Sequence, residues 1–349
     1  MIFLDVHGVS VRVNSSDNFE LFVKNSLPYF FVDVKNRSKS DICVDIDFSK
    51  EVDHNSYLSK ATKIGRNAYI NDNFFYCTAG DYFIVAEKSS TCININVSLV
   101  KVLSIKSKLK RKIKEIIRPH DKFLLVRHYI IFPLFSLLQN LKNINILHAS
   151  AVNIDGKGII FSGLSGVGKS TLSIASVIMD KGLFITDNYL LYDDSKIYPF
   201  PEWIRLNQES YKLTSVDETG VVGKITRAFF YRYGRNYHQL ESNVISPPVK
   251  CTAFIQLFLG DKFSANIISA EKAIDRTILN NAHVKEFPEH ALIGLLPYIL
   301  ENNTFQNNTM VQSLKSILAN SAIYEIVINR EDSIEDSIDK ILTILKIDK

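Results

Sequence analysis

An α/β core preceded by a β-rich module is the architecture this sequence predicts. Short β-branched and aromatic runs crowd residues 1 to about 100, and strand and helix patterns mix through the second half. A glycine-rich loop at 163–170 stands between a strand pattern and a helix pattern, which fixes the layout of the core around it.

In the N-terminal part, Ile2–Val6, Val9–Val13, Ile42–Phe48, Phe74–Thr78, Tyr82–Val85 and Cys92–Val97 read as strands, and Asp17–Leu27 reads as a helix between them. The stretch KSKLKRKIKEIIR at 106–118 carries seven Lys/Arg against Glu115. Its apolar positions Leu109, Ile113, Ile116 and Ile117 fall at helical spacing, so it predicts an amphipathic helix with a basic face. Such a face is solvated, a docking surface for an acidic partner, or a contact for nucleic acid. Pro119 marks a break, which puts the domain boundary at 118/119 and the second domain over 119–349.

Composition narrows the function class. Hydrophobic residues at 46% and charged residues at 22% describe an ordered globular chain. A net charge of +4 permits an anionic ligand without demanding nucleic acid. Cys43, Cys77, Cys92 and Cys251 lie far apart in sequence, three of them in β-like apolar contexts, and read as small buried hydrophobes in a reducing compartment. No His or Cys pair has zinc spacing. The opening MIFLDVHGVSVRV lacks the pattern of a secretory leader. The most apolar stretch, Phe123–Leu141, is interrupted by Arg127, His128 and Pro133 and predicts a buried helix near 121–141 rather than a membrane span. A cytoplasmic protein is the expectation.

Further along, Phe254–Leu259 and Ile323–Ile328 read as buried strands. Ala291–Glu301, Val311–Asn320 and Ile334–Leu345 read as helices, with Asn302–Thr309 as a polar loop.

GLSGVGKS at 163–170 fits G-x-x-x-x-G-K-[ST] at every fixed position. The strand GIIFS at 158–162 runs into it, and STLSIASVIMDKG leaves it as a helix, with Gly182 at the C-cap position. The chemistry needs each part. Gly163, Gly166 and Gly168 let the backbone of Leu164, Ser165 and Val167 curl so that its N–H groups meet phosphate oxygens. Lys169 neutralises the β- and γ-phosphates of a nucleoside triphosphate. The Ser170 hydroxyl is a Mg²⁺ ligand, with Thr171 beside it. After Gly182, LFITD forms a strand ending in Asp187, a carboxylate placed to meet Mg²⁺, water or an acceptor hydroxyl; a surface-turn aspartate before Asn188 fits the same pattern. Tyr189–Tyr192, the turn Asp193–Lys196 and Ile197–Tyr198 predict a hairpin. Ile146–Ile154, the turn Asp155–Gly156 and the strand at 158–162 predict another that feeds the loop. His148 stands within its first strand, where pattern alone also allows a satisfied core residue.

The run LHASAVNIDGKGIIFSGLSGVGKSTLSIASVIMDKGLFITDN resembles the core of the HPr kinase/phosphorylase family, whose fold class is that of ATP-type phosphoenolpyruvate carboxykinases. The resemblance implies a mixed-sheet kinase core, ATP and Mg²⁺ as ligands, and phosphoryl transfer to an acceptor hydroxyl. The acceptor would be a serine of a peptide or protein, or a small hydroxyl compound. By match, His148 takes the family's histidine position and Asp187 its first aspartate, the base toward the acceptor. Asn188 stands where a second aspartate is usual, and Thr171 replaces a frequent glutamate. In PEWIRL, Glu202 and Arg205 are the nearest counterparts of a second Mg²⁺ ligand and a phosphate clamp. The resemblance covers about an eighth of the chain and implies a divergent kinase, in which the N-terminal module recognises the acceptor or a partner.

Two other readings stand beside it. One is a nucleotide-binding regulator that docks a partner without phosphorylating it, which Asn188 favours. The other is NTP hydrolysis with motor action, for which no arginine finger or sensor motif is evident. The stretch Arg227–Tyr237 (RAFFYRYGRNY) can stack on a base or peptide, or serve as a partly buried amphipathic segment.

Overall fold

The computed structural model describes residues 1–15, 19–33, 40–52, 61–63, 68–71, 74–79, 82–88, 92–100, 109, 126–202, 204–205, 237–238, 242–282 and 307–347. The chain divides into two compact units. One holds residues 1–142 and the other is built mainly from residues 143–227, 236–287 and 306–349. The first change of unit falls at Lys142/Asn143, while Pro119 lies outside the described residues.

In the first unit, β1 (Ile2–Val6) and β2 (Val9–Ser15) form a hairpin, followed by helix α1 (Phe19–Ser26). Then come β3 (Phe31–Val32), β4 (Ile42–Val52), β5 (Thr62–Lys63), β6 (Ala68–Ile70), β7 (Phe74–Ala79), β8 (Tyr82–Lys88) and β9 (Ile93–Val100). Among the described residues they make one nine-stranded sheet in the order β3-β1-β2-β4-β9-β8-β7-β6-β5. The period-2 pattern explains why it holds together: Val11, Val13, Val44, Ile46, Ile95, Val97, Ile84 and Phe75 alternate onto one buried face. The other face carries Asp45, Asp47, Asn94, Asn96 and Ser98. A short π-helical turn at Arg127–Ile131 leads into α2 (Phe132–Lys142).

The second unit opens with β10 (Asn145–His148), β11 (Ser150–Ile154) and β12 (Lys157–Ser162). Helix α3 (Lys169–Ile178), β13 (Leu183–Thr186), β14 (Tyr189–Tyr192) and β15 (Ile197–Tyr198) follow. The chain continues through β16 (Ile204–Arg205), β17 (Tyr237–His238), β18 (Cys251–Gly260), β19 (Ser264–Ile267), α4 (Ala270–Ala282), α5 (Asn307–Ala319), β20 (Ala322–Asn329) and α6 (Ile334–Leu345). The main sheet runs β13-β11-β12-β18-β20-β19, with β12, β18 and β20 mutually parallel and the outer strands antiparallel. The architecture is therefore mixed α/β with mixed sheets. Helices cover both faces, as near-continuous apolar strands such as CTAFIQLFLG require. On one face Phe161, Leu257, Ile326 and Ile328 pack with Leu172 and Ile174 of α3 and Ile338, Ile341 and Leu342 of α6. On the other, Ile160, Phe254 and Ile323 pack with Ile274 of α4 and Leu314, Ile317 and Leu318 of α5.

Several sequence expectations need correction. The strand expected over Ile146–Ile154 is two strands in two sheets, because β10 pairs with β14 and β11 pairs with β12 and β13. Gly182 is not the C-cap of α3; the helix ends at Ile178 and Asp180 takes the left-handed conformation. Gly182 is small for another reason: a Cβ there would meet the Asn153 carbonyl at 2.8 Å. The loop expected to Thr309 ends earlier, since α5 begins at Asn307. The expected helix at 291–301 and the basic stretch 106–118, except Leu109, lie outside the described residues, as does 227–236. No helix among the described residues is long and apolar enough to cross a membrane.

Leu257 tests the packing. Its side chain is fully buried in the cluster under α3 and α6, on the strand between β12 and β20. Leu257→Ala is expected to cost about 2–5 kcal/mol of stability in urea denaturation. A loss below about 1 kcal/mol would contradict a close-packed centre at this strand.

Candidate active site

The loop from β12 to α3 is shaped by what each residue must avoid. Gly163 has φ +149°, and a Cβ on it would lie 2.8 Å from the Leu257 carbonyl of the neighbouring strand. Gly168 is the N-cap of α3 with φ +95°, and no side chain caps the helix there. The first turn of α3 therefore presents the positive end of the helix dipole to the loop.

Lys169 begins α3 and turns back into the loop. Its Nζ donates to the carbonyls of Gly163 at 2.8 Å and Leu164 at 2.9 Å, and the residue is 5% exposed. Burial pulls the ammonium down to about 8, while the carboxylate of Asp187 acts in the opposite direction. An amine held this way is a buried cation hydrogen-bonded to neutral carbonyls, with the Asp187 carboxylate acting on it.

The acidic side of the site comes from a shared bend. In β11 and β13 Ala151 faces Thr186, and in β10 and β14 His148 faces Tyr189. Both chain segments leave the main sheet at the same level, so Ala149–Ser150 lies opposite Asp187–Asn188. The Thr186 hydroxyl clamps the turn by donating to the Tyr189 carbonyl at 2.9 Å and the Phe200 carbonyl at 3.2 Å. On the facing strand, the His148 N–H donates to Oδ1 of Asn281 in α4 at 3.2 Å. Asp187 is buried, at 8% exposure.

One cavity of about 470 Å³ gathers these parts: His148, residues 165–171, Asp187 and Asn188 all line it. Gly163 and Leu164 do not line it; they contribute carbonyls to Lys169, and the Leu164 side chain is exposed. Glu202 is buried yet is not among the lining residues. Arg205 lies in β16, paired through its backbone with Tyr237, and does not line the cavity either. Among the described residues no group of three or more His, Cys, Asp or Glu converges as a metal cluster.

The sequence reading missed the opposite wall. Leu259 at the end of β18, Ile328 and Asn329 at the end of β20, and Arg330, Asp332, Ile334 and Ser337 beyond it line the same cavity. The β20–α6 turn is well tied: Asn329 Nδ2 donates to Asp332 Oδ1 at 3.2 Å, and Lys340 Nζ donates to Asp332 Oδ2 at 2.6 Å. Strand ends next to the loop strand are the signal that finds them, but it requires knowing that β18 and β20 follow β12 in the sheet.

No protein-family model matches this chain, and no curated protein matches its sequence. Among solved structures, the HPr(Ser) kinase/phosphatase from Coxiella burnetii is similar at 10% identity and a TM-score of 0.24, over 58% of this chain and 94% of that one. A likeness of that degree carries no weight for this chain's activity.

The buried Lys169 has a measurable consequence. Its folded-state value near 8 lies below the unfolded value, so between about 8 and 10.5 the unfolded chain holds more protons than the native one. The burial cost of the charge is present in full below that window and is relieved as pH rises through it. Relative to Lys169→Met, wild-type stability is expected to rise by on the order of 3 kcal/mol from pH 7.5 to 10.5 in denaturant titrations. Superimposable pH profiles would mean that the amine is not buried as a cation.

Proposed function

We propose that this chain is an ATP-dependent kinase that transfers the γ-phosphoryl group to an acceptor hydroxyl, most simply a serine of a peptide or protein. The observation that carries the reading is the single cavity shared by an anion-binding loop with its lysine and by a strand-end carboxylate with a neighbouring histidine. Phosphoryl transfer needs alignment and charge neutralisation more than covalent chemistry, and these residue types supply both.

In this reading the N–H groups of residues 165–171 and the Lys169 ammonium take the β- and γ-phosphate oxygens, and Lys169 gives up its two carbonyl partners to do so. The Ser170 hydroxyl and the Asp187 carboxylate are both oxygen donors, the kind Mg²⁺ takes, and would hold that ion. That ion, when bound, neutralises charge developing between the β- and γ-phosphates. Glu202 is not needed for this set. Asp187 orients the acceptor hydroxyl. As the acceptor oxygen bonds to the γ-phosphorus, the bond from that phosphorus to the bridging oxygen breaks, ADP leaves, and the hydroxyl proton passes to the carboxylate. His148 stands beside it to hold the acceptor or the γ-phosphate by hydrogen bonding.

One observation favours a second reading. Asn188 lines the cavity next to Asp187, where a second carboxylate would strengthen the acidic side. A nucleotide-binding regulator without transferase activity needs the loop and Lys169 but not a second acid.

Two substitutions separate the possibilities. Lys169→Ala is expected to weaken ATP affinity by about a hundredfold or more in calorimetric titration, as loss of a buried charge partner does. Undiminished affinity would place the nucleotide elsewhere. Asp187→Asn is expected to retain binding while labelled-phosphate transfer falls by about 10²–10⁴-fold, the range of positioned acid–base groups. Transfer unchanged by Asp187→Asn would remove the carboxylate from the mechanism. ATP binding without transfer to any acceptor in wild type would select the regulator.

A further inference from the structure

Cys43 and Cys92 are 49 positions apart in the chain, yet their sulfurs are 3.2 Å apart, with the Cys43 thiol donating to Cys92 Sγ. Both are free thiols. Their approach is set by backbone pairing rather than by a flexible tail. Cys43 lies in β4 opposite Asn94 of β9, and Cys92 immediately precedes β9. The Ile93 N–H donates to the Asp41 carbonyl at 2.9 Å, which fixes the strand start next to Cys92 against the chain leading to Cys43. Cys92 Sγ also donates to Asn94 Oδ1 at 3.3 Å, so its side chain is held toward the same face.

We propose that Cys43 and Cys92 are a reversible oxidation site, a dithiol that a peroxide converts into a disulfide clasp between β4 and β9. The two cysteines play different parts. Cys43 is 4% exposed, and burial pushes its thiol up to about 11, helped by the Cys92 hydrogen bond and opposed by the Arg12 charge. It is not the group that meets the oxidant. Cys92 is half-buried and reachable. Its thiolate attacks one peroxide oxygen; the O–O bond breaks, hydroxide leaves, and a sulfenic acid forms. Cys43 sulfur then attacks the Cys92 sulfur, the S–O bond breaks, and the oxygen leaves as water with the Cys43 proton. Two thiols and one peroxide give one disulfide and two waters. The sulfurs have only about 1 Å to close. The new bond closes a loop that holds β5 to β8, so the clasp locks the parallel pair β4 and β9 at the base of that loop.

The test uses the full-length chain treated with hydrogen peroxide, alkylated after unfolding, digested and mapped by mass spectrometry. The expected result is a Cys43–Cys92 linked peptide, lost on dithiothreitol treatment, with Cys77 and Cys251 alkylated in full. The peroxide-treated protein should also melt at a higher temperature than the reduced one. In Cys43→Ser, Cys92 should instead be trapped by dimedone as a sulfenic acid. If Cys43 remains alkylatable after peroxide in the wild type, or if the linked peptides join other cysteines, the inference is overturned.

Discussion

A single buried ammonium group organises the second unit. Lys169 sits inside the loop that precedes its own helix and is satisfied there by the carbonyls of Gly163 and Leu164. Neutral carbonyls cannot balance a full charge out of water, which is why its affinity for a proton falls. The loop's start leaves no room for a side chain at Gly163, because a Cβ there would meet the Leu257 carbonyl of β18, the parallel neighbour of β12. Under the proposed function, a polyanion that bound at this buried charge would add to the stability of the folded chain.

The sheet explains why acid and cation share one cavity. β12 ends at the loop, while β11 and β13 on one side carry the bend that presents Asp187 and His148. On the other side β18 and β20 end in Leu259, Ile328 and Asn329, with Arg330 beyond. The cavity thus has one wall with Asp187 and His148 and an opposite wall of mixed apolar and polar residues that includes Arg330 and Asp332, with the loop between them.

Local features of this arrangement were legible in the sequence, and nonlocal ones were not. The glycine loop, its strand and helix, the Asp187 strand and the hairpin of β14 and β15 depend on residues within a few positions of each other, and their patterns stand in the chain directly. The split between His148 and Ser150 was not legible. An unbroken run of apolar residues looks the same whether it stays in one sheet or crosses into a second. Arg330 and Leu259 reach the site only through strand order, and Cys43 and Cys92 meet only through a parallel pairing across four intervening strands. Glu202 was a metal-ligand candidate only through the family resemblance of PEWIRL, and it is buried without lining the cavity.

The central claim concerns where Lys169 points when a triphosphate is present. A crystal structure with a non-hydrolysable ATP analogue and Mg²⁺ tests it most directly. The account predicts that Nζ leaves the Gly163 and Leu164 carbonyls and lies against β- and γ-phosphate oxygens, with Asp187 at the γ-phosphate. A nucleotide bound away from the loop, with Nζ still on the two carbonyls, would contradict it.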